Sequence, residues 1–228
     1  MTNYQQKQIE VINKIEKQVN GNSLRFSTVS PVEDYENDNR QCLTSVHIPN
    51  KTLKEKIQTV LTEPLQAIEP DYYYYLPDSL HLTIKNVRVI NEPAHFDEND
   101  ILKVEKVFSE TIPKYKEFNV YFYRLLLFPN SLALIGTTDE ELDDLVLDLD
   151  KKLSEAGVPD DKKYSNLRYF FCNMTLARFS QASKKFKQKV EELSDSIDFE
   201  PYAINSVTLL TCNAAFKKRH VINTWSLK

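Results

Sequence analysis

The apolar residues of this chain alternate between helical and strand spacing, and this alternation restricts the fold more than any other feature. Five segments place apolar residues on one face of a helix, and segments rich in β-branched and aromatic residues lie between them. The spacing is not that of a regular parallel βαβ array, so the sequence favours an α+β fold with antiparallel sheets flanked by helices. We interpret residues 1–228 as a single domain, with helix 2–20 as a candidate added element.

The second half of the chain repeats the rhythm of the first, as a duplicated α+β unit would. A Pro-Asn turn predicts a hairpin between two strands, and Thr52 and Glu55 form a candidate capping box. The predicted helices cover residues 2–20, 52–61, 101–112, 139–156 and 186–197. The predicted strands lie within residues 45–49, 72–90, 118–128, 131–137, 168–179, 204–212 and 220–227.

The charge balance limits the ligands that the protein can bind. The formal net charge is −4 and the isoelectric point is near 5.7, whereas a protein that binds duplex DNA normally has a basic surface. The sequence therefore argues against duplex DNA as a partner and leaves room for a nucleotide or one RNA end in a locally basic cleft. Only three glycines occur, so the Gly-rich loops of P-loop and Rossmann nucleotide sites are excluded.

The three cysteines, Cys42, Cys172 and Cys212, form no CxxC pair. They are typical of buried thiols in a reducing compartment rather than of a disulfide framework or a zinc site. No stretch approaches the ~20 apolar residues of a membrane span, and the first residues contain no apolar signal core. We therefore expect a cytoplasmic protein without a membrane partner. No segment signals oligomerisation, and we expect a monomer.

Two predicted strands carry the same frame of a polar residue, an apolar residue and a threonine. The first copy, "HLT", runs from His81 to Thr83, and the second, "NMT", runs from Asn173 to Thr175. Because residues i and i+2 of a strand project to the same face, His81 points with Thr83 and Asn173 points with Thr175. Two such strands side by side present four polar side chains to one cleft.

A histidine in each copy would make this arrangement a site for cleaving phosphoesters. One imidazole acts as the base and the other as the acid, while the two threonine hydroxyls hold the non-bridging phosphate oxygens. This chemistry needs neither a metal nor a cofactor. In this chain only His81 is a histidine, because Asn173 occupies the matching position.

On these two frames the chain resembles the LigT-like branch of the 2H phosphoesterase superfamily, which contains 2′-5′ RNA ligases and 2′,3′-cyclic phosphodiesterases. The segment "LHLTI" matches the first His-x-Thr motif in full, and "NMTLAR" matches the second motif, HxTLAR, except at the histidine. The likeness extends from the strand at 45–49 to the last strand. His-x-Thr alone recurs by chance, whereas two such frames, one ending in Leu-Ala-Arg, are more specific.

The resemblance implies a duplicated, bilobal fold with the cleft between the lobes. It also implies a metal-independent phosphoesterase that acts on 2′,3′-cyclic or 2′-5′-linked nucleotides or RNA ends. His81, Thr83 and Thr175 are then the expected catalytic residues, and a nucleotide or RNA-end phosphate is the expected ligand.

Asn173 is where the chain departs from the family pattern, and the departure leaves several alternatives open. An amide can hold a phosphate oxygen but has no pKa near neutrality, and losing one general acid or base costs ~10²–10⁴ in rate. The protein is then a weakened enzyme that relies on His81, or a binding module without turnover. An engineered substrate trap is a third alternative, since one base change turns a His codon into an Asn codon. His47 and His220 are candidates to replace the missing proton carrier, without a motif to support them.

Three residues are predicted to contact the substrate: Asn173, Arg178 and Tyr75. Arg178 lies on the face opposite Thr175 if the strand is regular, so an ion pair with a carboxylate is its structural alternative. Tyr75 ends a run of four tyrosines that precedes the first triplet, with five residues between them. Packing in the core is the alternative to its stacking on a base.

Overall fold

The computed structural model of the protein describes residues 1–26, 28–35, 37–164 and 166–228. The helices within these ranges are α1 (Asn3–Asn20), α2 (Lys51–Ile57), α3 (Glu63–Gln66), α4 (Glu98–Thr111), α5 (Glu141–Glu155) and α6 (Lys184–Asp195). The strands are β1 (Gln41–His47), β2 (Tyr73–Tyr74), β3 (Leu82–Asn91), β4 (Phe118–Phe128), β5 (Ser131–Thr138), β6 (Cys172–Arg178), β7 (Tyr202–Ile204), β8 (Ser206–Cys212) and β9 (Arg219–Ser226). No helix in the described parts of the chain is both long enough and apolar enough to cross a membrane.

The strands form two sheets in which most neighbours in space are distant in sequence. The order is β3-β1-β8-β9 in the four-stranded sheet and β2-β6-β5-β4-β7 in the five-stranded sheet. Within the described ranges every strand pair is antiparallel. With the flanking helices, this arrangement confirms the predicted α+β fold with antiparallel sheets. Strand β3 of the first sheet lies against β6 of the second, which brings the two triplet-bearing strands together.

One continuous apolar core joins the two sheets. It includes Leu43 and Val46 of β1 together with Leu134 and Met174 of the five-stranded sheet, all of them fully buried. Burying side chains of this kind contributes about 1.5–3 kcal/mol each before the loss of conformational entropy is subtracted. The shared core therefore fixes β3 relative to β6, and with them the space between the triplets.

Helix α1 packs on the five-stranded sheet through a second apolar cluster. It begins with a capping box, in which the Thr2 side chain accepts a hydrogen bond from the Gln5 amide at 3.2 Å. Its buried residues Ile12 and Ile15 pack with Ile135 of β5 and its neighbours. The predicted helix 2–20 therefore has an apolar face that the sheet covers.

The structure corrects several predicted element boundaries. Strand β1 begins at Gln41, earlier than the predicted 45–49, because the strand pairs with β3 on one side and β8 on the other. Asn50, not Thr52, caps α2: its side chain accepts from the Leu53 amide at 2.9 Å, and Asn is among the best N-cap residues. His81 lies directly before β3 rather than within it.

Candidate active site

A bulge in each triplet-bearing strand adds a polar side chain to the face that its threonine occupies. In β3 the register shifts just after Thr83, and Asn86 then shares the face of Thr83. In β6 the register shifts just after Thr175, and Arg178 shares the face of Thr175. Strand β6 is therefore not regular at this point, and the expectation that Arg178 lies on the face opposite Thr175 is wrong.

The two strands border a polar cavity of about 410 Å³. His81, Thr83, Asn173 and Thr175 all line it, so the structure brings the residues of both triplets to one space. Its other lining residues include Tyr75, Asn86, Arg178, Cys42, Cys212 and Lys162. The wall thus combines residues of both sheets with residues of the segments that connect the strands.

A smaller aromatic cavity of about 210 Å³ adjoins the polar cavity. Four phenylalanines, Phe26, Phe128, Phe170 and Phe171, line it together with Ile15 of α1. The residues that line both cavities form a junction between them: Thr28, Val29, Thr83, Asn86, Lys162, Asn173, Thr175 and Arg178. A ligand with one polar and one planar apolar part fits this pair of cavities.

The polar side chains of the triplets have unused hydrogen-bonding capacity. Thr83, Asn173 and Thr175 are partly exposed, and within the described part of the chain their side chains make no hydrogen bond. Polar groups removed from bulk water normally find partners. These three side chains are therefore available to a ligand in the cavity.

The His81 imidazole is held from two sides. Its Nδ1 lies 2.8 Å from the carbonyl oxygen of Ser79, and its ring stacks on Phe216 with the centroids 4.0 Å apart. Because a carbonyl oxygen only accepts, Nδ1 carries the proton of the neutral ring, and Nε2 remains as an acceptor. Burial, aided by the charges of Arg178 and Arg219, lowers the pKa of His81 to about 4. The ring is therefore neutral near pH 7.

Arg178 is held by Tyr75 rather than by a carboxylate. Its Nε donates to the Tyr75 hydroxyl at 2.9 Å, and the guanidinium lies over the rings of Tyr35 and Tyr75. Among the described residues no carboxylate forms an ion pair with Arg178. The ion pair between Arg178 and a carboxylate, which was the structural alternative from the sequence, is therefore not found there. The two terminal guanidinium nitrogens remain available to an anion.

Tyr75 supports Arg178 in the wall of the polar cavity, which both residues line. The Tyr75 side chain is only 1% exposed, and its hydroxyl donates to the carbonyl oxygen of Ala214 while it accepts from Arg178. The ring is thus packed in this structure. Its stacking on a base stays a prediction.

Lys162 is a functional candidate that sequence reasoning missed. It lines both cavities, and its ammonium lies 5.4 Å from the centroid of the Tyr164 ring. Burial, together with the charge of Lys85, lowers the pKa of Lys162 to about 8 against the opposing effect of Asp160. Two adjacent lysines in the segment after α5 are the only signal in the sequence, and such a pair is ordinarily solvated.

The two other histidine candidates lie outside the cavities. His47 is buried, with Nδ1 2.9 Å from the carbonyl oxygen of Ser206 and Nε2 3.0 Å from the Tyr202 hydroxyl. Both of its ring nitrogens therefore have partners. His220 is exposed at the start of β9 and lines neither cavity. Neither position supports the hypothesis that one of them replaces the second histidine.

Groups that could bind a metal ion are not clustered in the ranges that the structure describes. No three His, Cys, Asp or Glu side chains lie close enough together there to hold one. The polar donors of the cavity are hydroxyl, amide, guanidinium and ammonium groups, which suit an anion.

Solved structures share this fold over most of the chain. The chain is similar to Escherichia coli LigT in its apo form, with a TM-score of 0.55 and 14% identity over 84% of this chain and 99% of that chain. A phosphoesterase crystal structure gives a TM-score of 0.54 and 16% identity, over 83% of this chain and 99% of that chain. A conserved protein of unknown function from Agrobacterium tumefaciens gives a TM-score of 0.56 and 12% identity, over 91% of this chain and 96% of that chain. At this identity the likeness shows the fold alone, and the fold is the LigT-like one implied by the two motifs.

E. coli LigT has also been crystallised with ATP, with 3′-AMP and with NADP⁺, and these structures match the chain at 15% identity. No protein-family model matches the sequence, and no curated protein matches it.

Proposed function

We propose that the protein is a metal-independent phosphoesterase of the LigT type that acts on 2′,3′-cyclic or 2′-5′-linked nucleotides or RNA ends. The observation that carries the proposal is one polar cavity bordered by His81, Thr83, Asn173 and Thr175, together with Arg178. The side chains of Thr83, Asn173 and Thr175 make no hydrogen bond within the described part of the chain. Such donors beside an arginine suit an anion with several oxygens. Asn173 is expected to weaken turnover, because an amide cannot carry a proton between water and substrate.

Each group in the cavity has a distinct role in this proposal. The hydroxyl groups of Thr83 and Thr175 donate hydrogen bonds to non-bridging oxygens, and the Asn173 amide donates a third. Arg178 balances the phosphate charge through its terminal nitrogens. His81 accepts a proton at Nε2 from the attacking water. A bound phosphate favours the imidazolium form and so raises the pKa of His81 from its value of about 4.

The aromatic cavity supports a nucleotide rather than a bare phosphate as the ligand. Its phenylalanine rings offer planar apolar surface, and stacking of one base on an aromatic side chain contributes ~1–3 kcal/mol. E. coli LigT, which has been crystallised with ATP and with 3′-AMP, is similar to this chain in fold. We infer that the phosphate occupies the polar cavity and the base the aromatic one.

Hydrolysis of 2′,3′-cyclic nucleotides by the purified protein, with EDTA present, tests the proposal. We expect slow turnover by the wild-type protein and none by His81→Ala. His220→Ala is the matched control, because its exposed histidine lies outside both cavities. Equal rates for wild type and His81→Ala contradict the assigned role of His81. A lack of hydrolysis with cyclic and 2′-5′-linked substrates alike contradicts the enzymatic function.

A nucleotide- or RNA-end-binding module without turnover is the second candidate, and Asn173 is the observation that favours it. The donors of the cavity are retained in this case, while the second proton carrier is lost. Calorimetry would then show binding of a 2′,3′-cyclic nucleotide, and chromatography would show no product. Hydrolysis gained by Asn173→His would identify the missing proton carrier as the cause.

We also propose that the protein works as a monomer in the cytoplasm. The Sγ atoms of Cys42 and Cys212 lie 3.4 Å apart as free thiols, which fits a reducing compartment. Cell fractionation tests the location, and light scattering on the eluted protein tests the oligomeric state.

A further inference from the structure

The junction between the two cavities contains one side chain that can release a proton near neutral pH. If the nucleobase occupies the aromatic cavity and the phosphate the polar one, the ribose oxygens of the reacting phosphoester face this junction. Hydroxyl and amide groups such as those of Thr83, Thr175 and Asn173 do not titrate near neutrality, and guanidinium groups do not release a proton in proteins. Lys162 is the remaining polar group of the junction.

The Lys162 ammonium is not committed to a structural ion pair. It stands over the ring of Tyr164, and among the described residues no carboxylate lies within ion-pair distance of it. The charged and titratable groups that face it are Tyr164 and Asp160 of its own segment, Lys85 of β3 and Cys42 of β1. Lys85 differs from it in being fully buried and ion-paired with Asp160. The Lys162 ammonium is therefore available to a ligand at the junction of the two cavities.

We propose that Lys162 supplies the proton that a second histidine would supply, an inference that rests on the phosphoesterase function proposed above. Nε2 of His81 takes a proton from a water molecule, and the water oxygen forms a bond to the phosphorus of a 2′,3′-cyclic phosphate. The bond between phosphorus and one ribose oxygen breaks, and the Lys162 ammonium donates a proton to that oxygen. One water is consumed, and both side chains recover their protonation states from solvent.

The two groups have the protonation states that this step requires. Burial lowers the pKa of His81 to about 4, and burial with the charge of Lys85 lowers the pKa of Lys162 to about 8. Between these values the imidazole is neutral and the amine is charged. Both pKa values are lowered, yet they stay well apart, so one group can act as the base while the other acts as the acid. Activity is expected to fall on both sides of this range.

Substitutions of Lys162 in two backgrounds separate proton transfer from a structural role. With Asn173 present, Lys162→Met should lower kcat for a 2′,3′-cyclic nucleotide by ~10²–10⁴, with a smaller change in KM. In the Asn173→His background the new imidazole can donate the proton, so the same substitution should cost only a few-fold. Lys162→Arg keeps the charge but holds its proton, and should retain KM while losing kcat and the alkaline limb of the pH profile.

Lys151→Met is the matched control, because this lysine of α5 is 76% exposed and lines neither cavity. It should leave kcat and KM unchanged. Thermal unfolding of every variant checks folding, and Lys162→Gln replaces the methionine variant if that variant unfolds.

Each outcome decides between the two claims. Equal kcat for wild type and Lys162→Met, full activity of Lys162→Arg, or equal losses in both backgrounds overturns the role of Lys162 and leaves the phosphoesterase function intact. Activity of Asn173→His beside an inactive wild type also overturns it. If neither protein hydrolyses any phosphoester, the phosphoesterase function itself fails.

Discussion

The imidazole of His81 lies almost flat against the ring of Phe216, with the centroids 4.0 Å apart and the planes 18° apart. Phe216 is buried, its φ is 59°, and the guanidinium of Arg219 lies 5.0 Å from its ring centroid. A phenylalanine in the left-handed region is uncommon and needs surrounding contacts to hold it there. The segment after β8 therefore sets the ring plane of the proposed base.

Phe216→Leu should raise the pKa of His81 from about 4 toward its ordinary value of 6.5, because a smaller side chain buries the imidazole less. An NMR titration of the imidazole protons measures this pKa, with the signal assigned from the spectrum of His81→Gln. Phe199→Leu, which changes a partly buried ring packed on Phe122, is the control. A pKa that stays near 4 in Phe216→Leu would show that other surfaces bury the ring.

His81 should also make the folded protein less stable in acid. Its folded-state pKa of about 4 lies below the ordinary 6.5, so between these values the unfolded chain binds more protons than the folded one. The free energy of unfolding therefore rises with pH in this window, and the contribution of His81 is lost as pH falls toward 4. His47, whose pKa burial also lowers, acts in the same direction.

Urea unfolding near neutrality and in mild acid checks this dependence. The loss of unfolding free energy on acidification should be smaller in His81→Gln than in wild type, with the part due to His47 remaining. An identical loss in both proteins contradicts the shift assigned to His81.

Phe171 should contribute to binding the base but not the phosphate. It lies directly before β6, two residues ahead of Asn173, and lines the aromatic cavity. Phe171→Ala should weaken 3′-AMP binding by ~5–150-fold, the equivalent of one stacked base, and leave the affinity for inorganic phosphate nearly unchanged. Calorimetry with the two ligands measures both. Equal losses for both would mean that the ring supports the polar cavity instead.

Cys42 and Cys212 should be oxidised as a pair. They are paired residues of β1 and β8 with Sγ atoms 3.4 Å apart, and a hydrogen bond from the Cys212 thiol lowers the pKa of Cys42. Hydrogen peroxide should convert the two thiols to one disulfide and release two waters. Cys172 should stay reduced, because burial raises its pKa to about 12.

Intact mass and peptide mapping without reductant follow this reaction. We expect a loss of two hydrogens and one linked peptide pair, and neither in Cys42→Ser. Oxidation of Cys172 before Cys42 and Cys212 would contradict the protection that we assign to its burial.

The fold class and the polar frame of each triplet could be predicted from the sequence, because both depend on local periodicity. The meeting of the two triplets depends on tertiary packing, and only the family resemblance implied it. Alternation of apolar residues defined β3 and β6, and the i, i+2 rule placed each polar residue beside its threonine. The position of Arg178 could not be predicted in this way, since one bulged residue in β6 reverses the face of everything that follows it.

Lys162 and Phe216 were beyond sequence reasoning for a different reason. Each lies in a segment between regular elements, where no period relates a side chain to the sheets. Lys162 acquires its candidate role from its position at the junction of two cavities, and Phe216 from its contact with His81. Such contacts depend on tertiary packing, which neither two adjacent lysines nor a single phenylalanine in the sequence reveals.

The central claim is that two triplets on strands of different sheets form one phosphate site. Calorimetric titration of 3′-AMP into Thr83→Val, Thr175→Val and the double variant tests it most directly. Each lost hydrogen bond to a charged phosphate should weaken binding by ~10–150-fold, and the two effects should be non-additive because both hydroxyls contact the same group. Thr211→Val, a half-buried residue of β8 that lines neither cavity, should bind as wild type does. Unchanged affinity in either folded single variant would contradict a shared site.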